Sequence, residues 1–405
     1  MIFTRRLRET LEGIGTRAGI TFAARLPDGS EFVAGQGAPA FTADFHTRGA
    51  VLGVLARGHM GFVEGYFNQT IDVEGDLGAA LAAGMVSRFD QSGGLNALEN
   101  RLHEWRHSNR DPGRAKDNAR AHYGLGTPFY KLWLDEALMM YTCGYWPEGT
   151  RTLEEAQRNK VDHVCRKIQL RQGERFIDIG CGFGGFMFRA HETCGATGVG
   201  LNAATEQVDW LRDEIERRGL GAILQVREAD FREVDGPYDK VVSIGTLEHA
   251  GRDQIPEVVR AHADFLKPGG LGLLHFIGHV GRFETELFIR KHVFPGGWIP
   301  CLADVIVEME RSGLEVIDIE NLRRHYAPTL DAWAERFEAR WDAIHALDPK
   351  RFDERFRRIW RTYLIGCAEM FRSANGYTHL FQIVFCKGNV TRSNYPMSRA
   401  HLYER

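Results

Sequence analysis

The spacing of apolar positions changes along this chain and divides it into regions. At the start, Phe3, Leu7 and Leu11 recur at the period of a helix that buries one face. Brief alternating stretches such as Glu31-Phe-Val-Ala then read as short strands, and the apolar run from Leu52 to Tyr66 reads as helix. From Arg175 onward, compact apolar runs alternate with helix-period segments, as βαβ units require. Strands are predicted near 175–179, 197–201, 223–227, 239–245 and 270–277, with helices between them. One more strand, Leu380–Cys386, lies far from the others in sequence. Two long helical segments precede it. One places Trp333, Phe337, Trp341 and Ile344 on one face, and the other carries Phe352, Phe356, Ile359, Tyr363 and Phe371. Such aromatic stripes ordinarily form core; the rival reading is the wall of a tunnel for a long apolar substrate.

These shifts set boundaries. Residues 1–100 read as a small N-terminal α/β domain suited to lipid or dimer contact, and 101–120 as a basic linker broken by Pro-Gly. Residues 121–388 form the main α/β domain, and 389–405 a tail with no identifiable likeness. The linker is either a solvated face or a contact for anionic lipid headgroups. The chain has 405 residues, and its 51 basic and 54 acidic side chains nearly cancel, so no global field points to nucleic acid. Seven scattered cysteines without a C-x-x-C argue against a disulfide framework or a zinc site and fit a reducing cytoplasm. Basic residues open the chain with no apolar run behind them, and no stretch approaches the roughly 20 apolar residues of a membrane span. Contact with a membrane would therefore be peripheral, at the inner surface.

The most specific local signal is Phe176-Ile-Asp-Ile-Gly-Cys-Gly-Phe-Gly-Gly185. It reads as a buried strand ending on an acid and entering a glycine-rich turn, where backbone can approach a ligand closely. No Gly-Lys-Ser/Thr follows, which excludes a phosphate loop. The pattern resembles the first motif of class I S-adenosylmethionine-dependent methyltransferases. That resemblance implies a Rossmann-like, mostly parallel sheet completed by one late antiparallel strand, a place that Leu380–Cys386 would suit.

Further stretches converge on one family. They are Ala121-His-Tyr-Gly-Leu-Gly-Thr-Pro-Phe-Tyr-Lys-Leu-Trp-Leu-Asp135, Tyr141-Thr-Cys-Gly-Tyr-Trp146, Leu153-Glu-Glu-Ala-Gln157, Gly245-Thr-Leu-Glu-His249, Leu273-Leu-His-Phe-Ile-Gly278, Val293-Phe-Pro-Gly-Gly-Trp-Ile-Pro300 and His325-Tyr-Ala-Pro-Thr-Leu330. In order and spacing they resemble the cyclopropane-fatty-acyl-phospholipid synthases, so that 121–388 is expected to be a methyltransferase catalytic domain with helical lipid-binding additions. The resemblance implies that Tyr141 meets the sulfonium of S-adenosylmethionine, a cation favoured beside an aromatic face. Gly180 and Gly182 would approach its amino acid part, with Asp178 accepting from the ammonium or fixing the turn. Gln207 would lie near the ribose unless it is an exposed helix residue, and Asp230 with Phe231 would hold adenine.

Methylating a cis double bond leaves a carbocation, and closing a cyclopropane then requires a base for a proton of the new methyl. The family uses a bound bicarbonate ion. The matching positions here are the backbone N–H groups of Cys143 and Ile277 and the side chains of Glu248, His275 and Tyr326. Two bare anions cannot lie side by side, so a bicarbonate hydroxyl should donate to Glu248 while its other oxygens accept from the remaining groups. A covalent role for the Cys143 thiol has no basic partner adjacent in sequence. Gly124, Phe183 and the Asn202–Ala204 segment depart from the family pattern. The resemblance further implies an unsaturated acyl chain of a membrane phospholipid as substrate, transient association with the membrane surface, and room for a homodimer. Three outcomes stay open at this point: ring closure, branch formation giving a methylene or methyl branch or a furan fatty acid precursor, and a silent lipid-binding protein.

Overall fold

In the computed structural model, which describes residues 2–87, 94–108, 113, 124–234 and 236–403, the N-terminal periodicity becomes a helix, Ile2–Ala18. It buries Leu7, Leu11 and Ile14 and leaves Phe3 exposed. Four strands follow, β1 (Phe22–Arg25), β2 (Glu31–Ala34), β3 (Phe41–Phe45) and β4 (Ile71–Gly75), in the order β2-β1-β3-β4. The apolar stretch 52–66 forms two helices rather than one, Arg48–Arg57 and His59–Phe67, because Gly58 turns the backbone to a φ of 57° between them.

This first compact unit comprises Met1–Arg106, Glu286–Val293 and Leu330–Gly376, so it also contains the aromatic stripes. Trp333, Phe337 and Ile344 are fully buried, and Trp341 lies under the Arg357 guanidinium at 5.2 Å. The helix Glu354–Arg372, capped by Asp353, buries Trp360, Tyr363 and Phe371. Of the basic linker, the first residues end the helix Gly94–Arg106, while 109–112 and 114–123 lie outside the described residues.

The second unit comprises His107–Thr285, Phe294–Thr329 and Tyr377–Arg405. Its strands are β5 (Arg175–Ile179), β6 (Thr197–Asn202), β7 (Leu224–Glu228), β8 (Tyr238–Ile244), β9 (Leu266–His279), β10 (Leu314–Asn321) and β11 (Thr378–Lys387). They form one sheet in the order β10-β11-β9-β8-β5-β6-β7. Pairing from β7 through β9 is parallel, and β11 runs antiparallel to both β9 and β10. The sheet is the expected methyltransferase sheet with its late antiparallel strand. Chain order reverses between β5 and β8, and ligands of such sheets bind at the carboxyl ends of the strands beside this switch.

β10 is the strand the apolar pattern did not announce. It is an edge strand with Glu315, Asp318 and Glu320 among its apolar positions, and a register shift between Val316 and Asp318 breaks the alternation. The unplaced tail docks beside it. Val390 N donates to Glu315, Arg399 pairs with Asp318 at 3.0 Å, and the carbonyl of buried Leu402 accepts from Arg166.

Candidate active site

The glycine turn leaves β5 with Gly180 at a φ of 79°, pressed so closely on Thr246 that a Cβ there would collide with its hydroxyl. Thr246 in turn donates to the carbonyl of Ile179 at 2.8 Å, fastening the end of β8 to the end of β5. Over Gly182, at a φ of 54°, a Cβ would meet nothing within 4 Å among the described residues, which is the open approach a ligand needs. Asn202, at the end of β6, donates to the Gly182 carbonyl at 3.1 Å and to Gln207 Oε1 at 2.9 Å. Gln207 is accordingly buried beside the turn and not an exposed helix residue.

Asp178 is buried, and desolvation pushes its carboxyl up to about 7, against the pull of the Lys160 ammonium. Tyr141 belongs to an aromatic group with Trp133 at 5.2 Å and Tyr130 at 5.5 Å, and Tyr130 also meets Phe183 of the turn at 5.9 Å. Asp230 follows β7 with Phe231. Its carboxylate already receives the Arg232 guanidinium through both oxygens, at 2.7 and 2.8 Å.

A strap from Asp135 to Trp146 brings Tyr141 and Cys143 to the sheet. Its turn is held by the buried Asp135 carboxylate, which accepts from Leu138 N and Met140 N, both at 2.8 Å, while Met139 takes a φ of 52°. The helix Leu153–Lys167 then grips the strap. Gln157 donates to the Thr142 carbonyl at 2.8 Å, and Lys160 donates to Thr142 Oγ1 at 2.7 Å. Thr329, in the helix Arg323–Ala339 that also bears the buried Tyr326, accepts from Gly144 N and from the Trp146 indole. Burial pushes the Cys143 thiol far up, which disfavours the thiolate that a nucleophile would need.

Glu248 lies in the short helical turn Leu247–His249 after β8, and His275 and Ile277 lie on β9. The Ile277 amide, expected to stand open for an anion, donates instead to Glu248 Oε1 at 2.6 Å. That bond and one from the backbone N–H of Glu248 itself favour the charged form, yet burial still pushes the pKa of this carboxyl up to about 7. Glu248 Oε2 is buried with no hydrogen-bond partner among the described residues. So is His275 Nε2, and burial holds that imidazole neutral. His275 Nδ1 lies 3.1 Å from Gln382 Nε2.

Sequence reasoning missed Gln157, Lys160, Lys167 and Gln382, all fully buried. The two lysines and Gln157 share one helix face, a spacing that was visible, but a lysine on a helix normally reads as surface.

A family profile described as mycolic acid cyclopropane synthetase matches residues 110–383. The chain belongs to that family. It is 35% identical over 335 residues to a probable fatty acid methyltransferase of Pseudomonas putida, covering 80% of this chain and 81% of the relative. It is 33% identical over 270 residues to the cyclopropane-fatty-acyl-phospholipid synthase of Escherichia coli K12, covering 66% and 67%. Its fold matches the mycolic acid cyclopropane synthase CmaA1, solved with SAH and CTAB, at a TM-score of 0.62 and 31% identity, over 67% of this chain and 98% of the other. The chain is thus an S-adenosylmethionine-dependent methyltransferase of the cyclopropane-synthase type. Within this family frame, Asn202 is a departure that acts as a clamp on the glycine turn, and Phe183 packs edge-on against Trp210 at 5.3 Å.

Proposed function

We propose that the chain adds a methyl carbon to the double bond of an unsaturated phospholipid acyl chain and gives a cyclopropane fatty acid. S-adenosylmethionine supplies the electrophilic methyl, and bicarbonate, when bound, a base for the proton that leaves it. The observation that carries the reading is the pair of buried atoms Glu248 Oε2 and His275 Nε2, neither with a hydrogen-bond partner among the described residues. Leaving such atoms unsatisfied costs about 1–3 kcal/mol each, so the site suits a ligand that both donates and accepts. A carboxyl whose pKa lies near neutrality can share one proton with an anion's hydroxyl, and a neutral imidazole can donate to another oxygen of the same anion. Cys143 and Tyr326 would complete the set, and Tyr130, Trp133 and Tyr141 would wall the cationic methyl donor.

The substrate chain must stay in an apolar path, because moving each methylene from lipid into water costs about 0.8 kcal/mol. No described helix is long and apolar enough to cross a membrane. We place the enzyme at the inner membrane surface through the helix Gly94–Arg106. Leu98, Leu102 and Trp105 lie exposed on one of its faces with Arg101, where the helix runs into the basic linker. A second reading, methylation without ring closure, is favoured by the name of the Pseudomonas putida relative.

The test is Glu248→Gln in a vesicle assay. Turnover should fall about a hundredfold or more with S-adenosylhomocysteine affinity unchanged, and bicarbonate depletion or added borate should inhibit the unaltered enzyme. Near-normal turnover together with indifference to both treatments would sink the assignment.

A further inference from the structure

One rung of the sheet carries a row of polar side chains. Glu320 of β10 is registered on Gln382 of β11, and Gln382 on His275 of β9. Residues directly opposite on neighbouring strands project from the same face, so the row is continuous. Lys167, fully buried at the end of its helix, bridges the row, with Nζ 2.6 Å from Glu320 Oε2 and 2.7 Å from Gln382 Oε1. His163 also reaches Glu320 Oε2, at 2.7 Å.

We propose that Lys167 and Gln382 are positioning residues that fix the tautomer of His275, so that its Nε2 presents a proton to the site. Donor supply decides the orientation of each group. An ammonium has hydrogens to give and no lone pair, so the Gln382 atom facing Lys167 is the oxygen. The amide nitrogen therefore faces His275 and donates to Nδ1. A neutral imidazole that accepts at Nδ1 carries its hydrogen on Nε2, the buried atom with no partner among the described residues. The opposite tautomer would turn a lone pair toward the bound anion. An imidazolium would offer an acid where a base is needed. The sheet thus orients a single proton on β9 through side chains of the two strands beside it, β11 and β10.

This inference rests on the bicarbonate reading for its purpose but not for its geometry, and the experiment separates the two. The protein with ¹⁵N-labelled histidine, free of substrate and bicarbonate, is observed by long-range ¹H–¹⁵N correlation at neutral pH, with the resonance assigned by His275→Gln. The unaltered chain should give the neutral Nε2–H pattern. Gln382→Glu keeps the shape and a partner for Lys167 but can only accept from the ring, so it should convert His275 to Nδ1–H. Turnover should fall about a hundredfold, with S-adenosylhomocysteine affinity within about twofold, the scale of losing one preorganised donor. Gln382→Asn, which keeps an amide, should recover part of the loss. An Nδ1–H or imidazolium pattern in the unaltered chain, or an unchanged tautomer in Gln382→Glu, overturns the proposal. An Nε2–H pattern that Gln382→Glu inverts, in an enzyme indifferent to bicarbonate, upholds the relay and removes the bicarbonate reading instead.

Discussion

At the scale of single residues, the site is built from groups whose protonation is set by burial. Asp178 sits near the midpoint of its titration at neutral pH because desolvation outweighs the attraction of Lys160. A ligand ammonium brought near it favours the charged form, lowers its pKa and releases a proton. Calorimetric binding of S-adenosylhomocysteine at pH 7, in buffers of different ionisation enthalpy, should therefore report release of about half a proton. Asp178→Asn should abolish that release, and so should pH 8.5, where the carboxyl is already ionised. Release that persists in the variant would move the titrating group elsewhere.

At the scale of elements, the strap and its helix show why so much of the site lies in polar contacts. Asp135 satisfies two amides around a left-handed Met139. Asp135→Ala should cost about 3 kcal/mol or more in denaturant unfolding, the sum of two buried amides left unpaired. Asp135→Asn, which keeps one acceptor, should cost less. Equal small losses would mean that the turn finds other partners.

Part of this structure was legible in the sequence. β5 to β9 and β11 could be read from compact apolar runs, and the glycine turn from its spacing. β10 could not, because acids at its positions blur the alternation of an edge strand. The family pattern pointed to Glu248 and His275, whereas Gln382 is 107 positions from its histidine and is brought to it only by strand register. The buried polar face of the helix Leu153–Lys167 runs against the expectation that lysines stay in water, so pattern alone placed it outside.

At the scale of the whole molecule, the proposed function would bring the chain to a lipid surface to perform one reaction there. If the exposed face of Gly94–Arg106 and the basic linker make that contact, activity on anionic vesicles should fall with salt, since charge attraction is screened within about 8–10 Å near physiological ionic strength. Trp105→Ser should weaken vesicle binding without altering S-adenosylhomocysteine affinity. Equal activity on neutral and anionic vesicles at any salt would assign docking to apolar insertion or a partner protein.

The central claim is tested most directly by the product. Cells expressing the protein and fed methionine with a trideuterated methyl group yield acyl chains for mass spectrometry before and after mild hydrogenation. Ring closure with loss of one methyl hydrogen predicts a chain that has gained a carbon with two deuterium atoms and takes up no hydrogen at that position. A chain that retains all three, one that hydrogenates to a methyl branch, or the absence of label from acyl chains would contradict it.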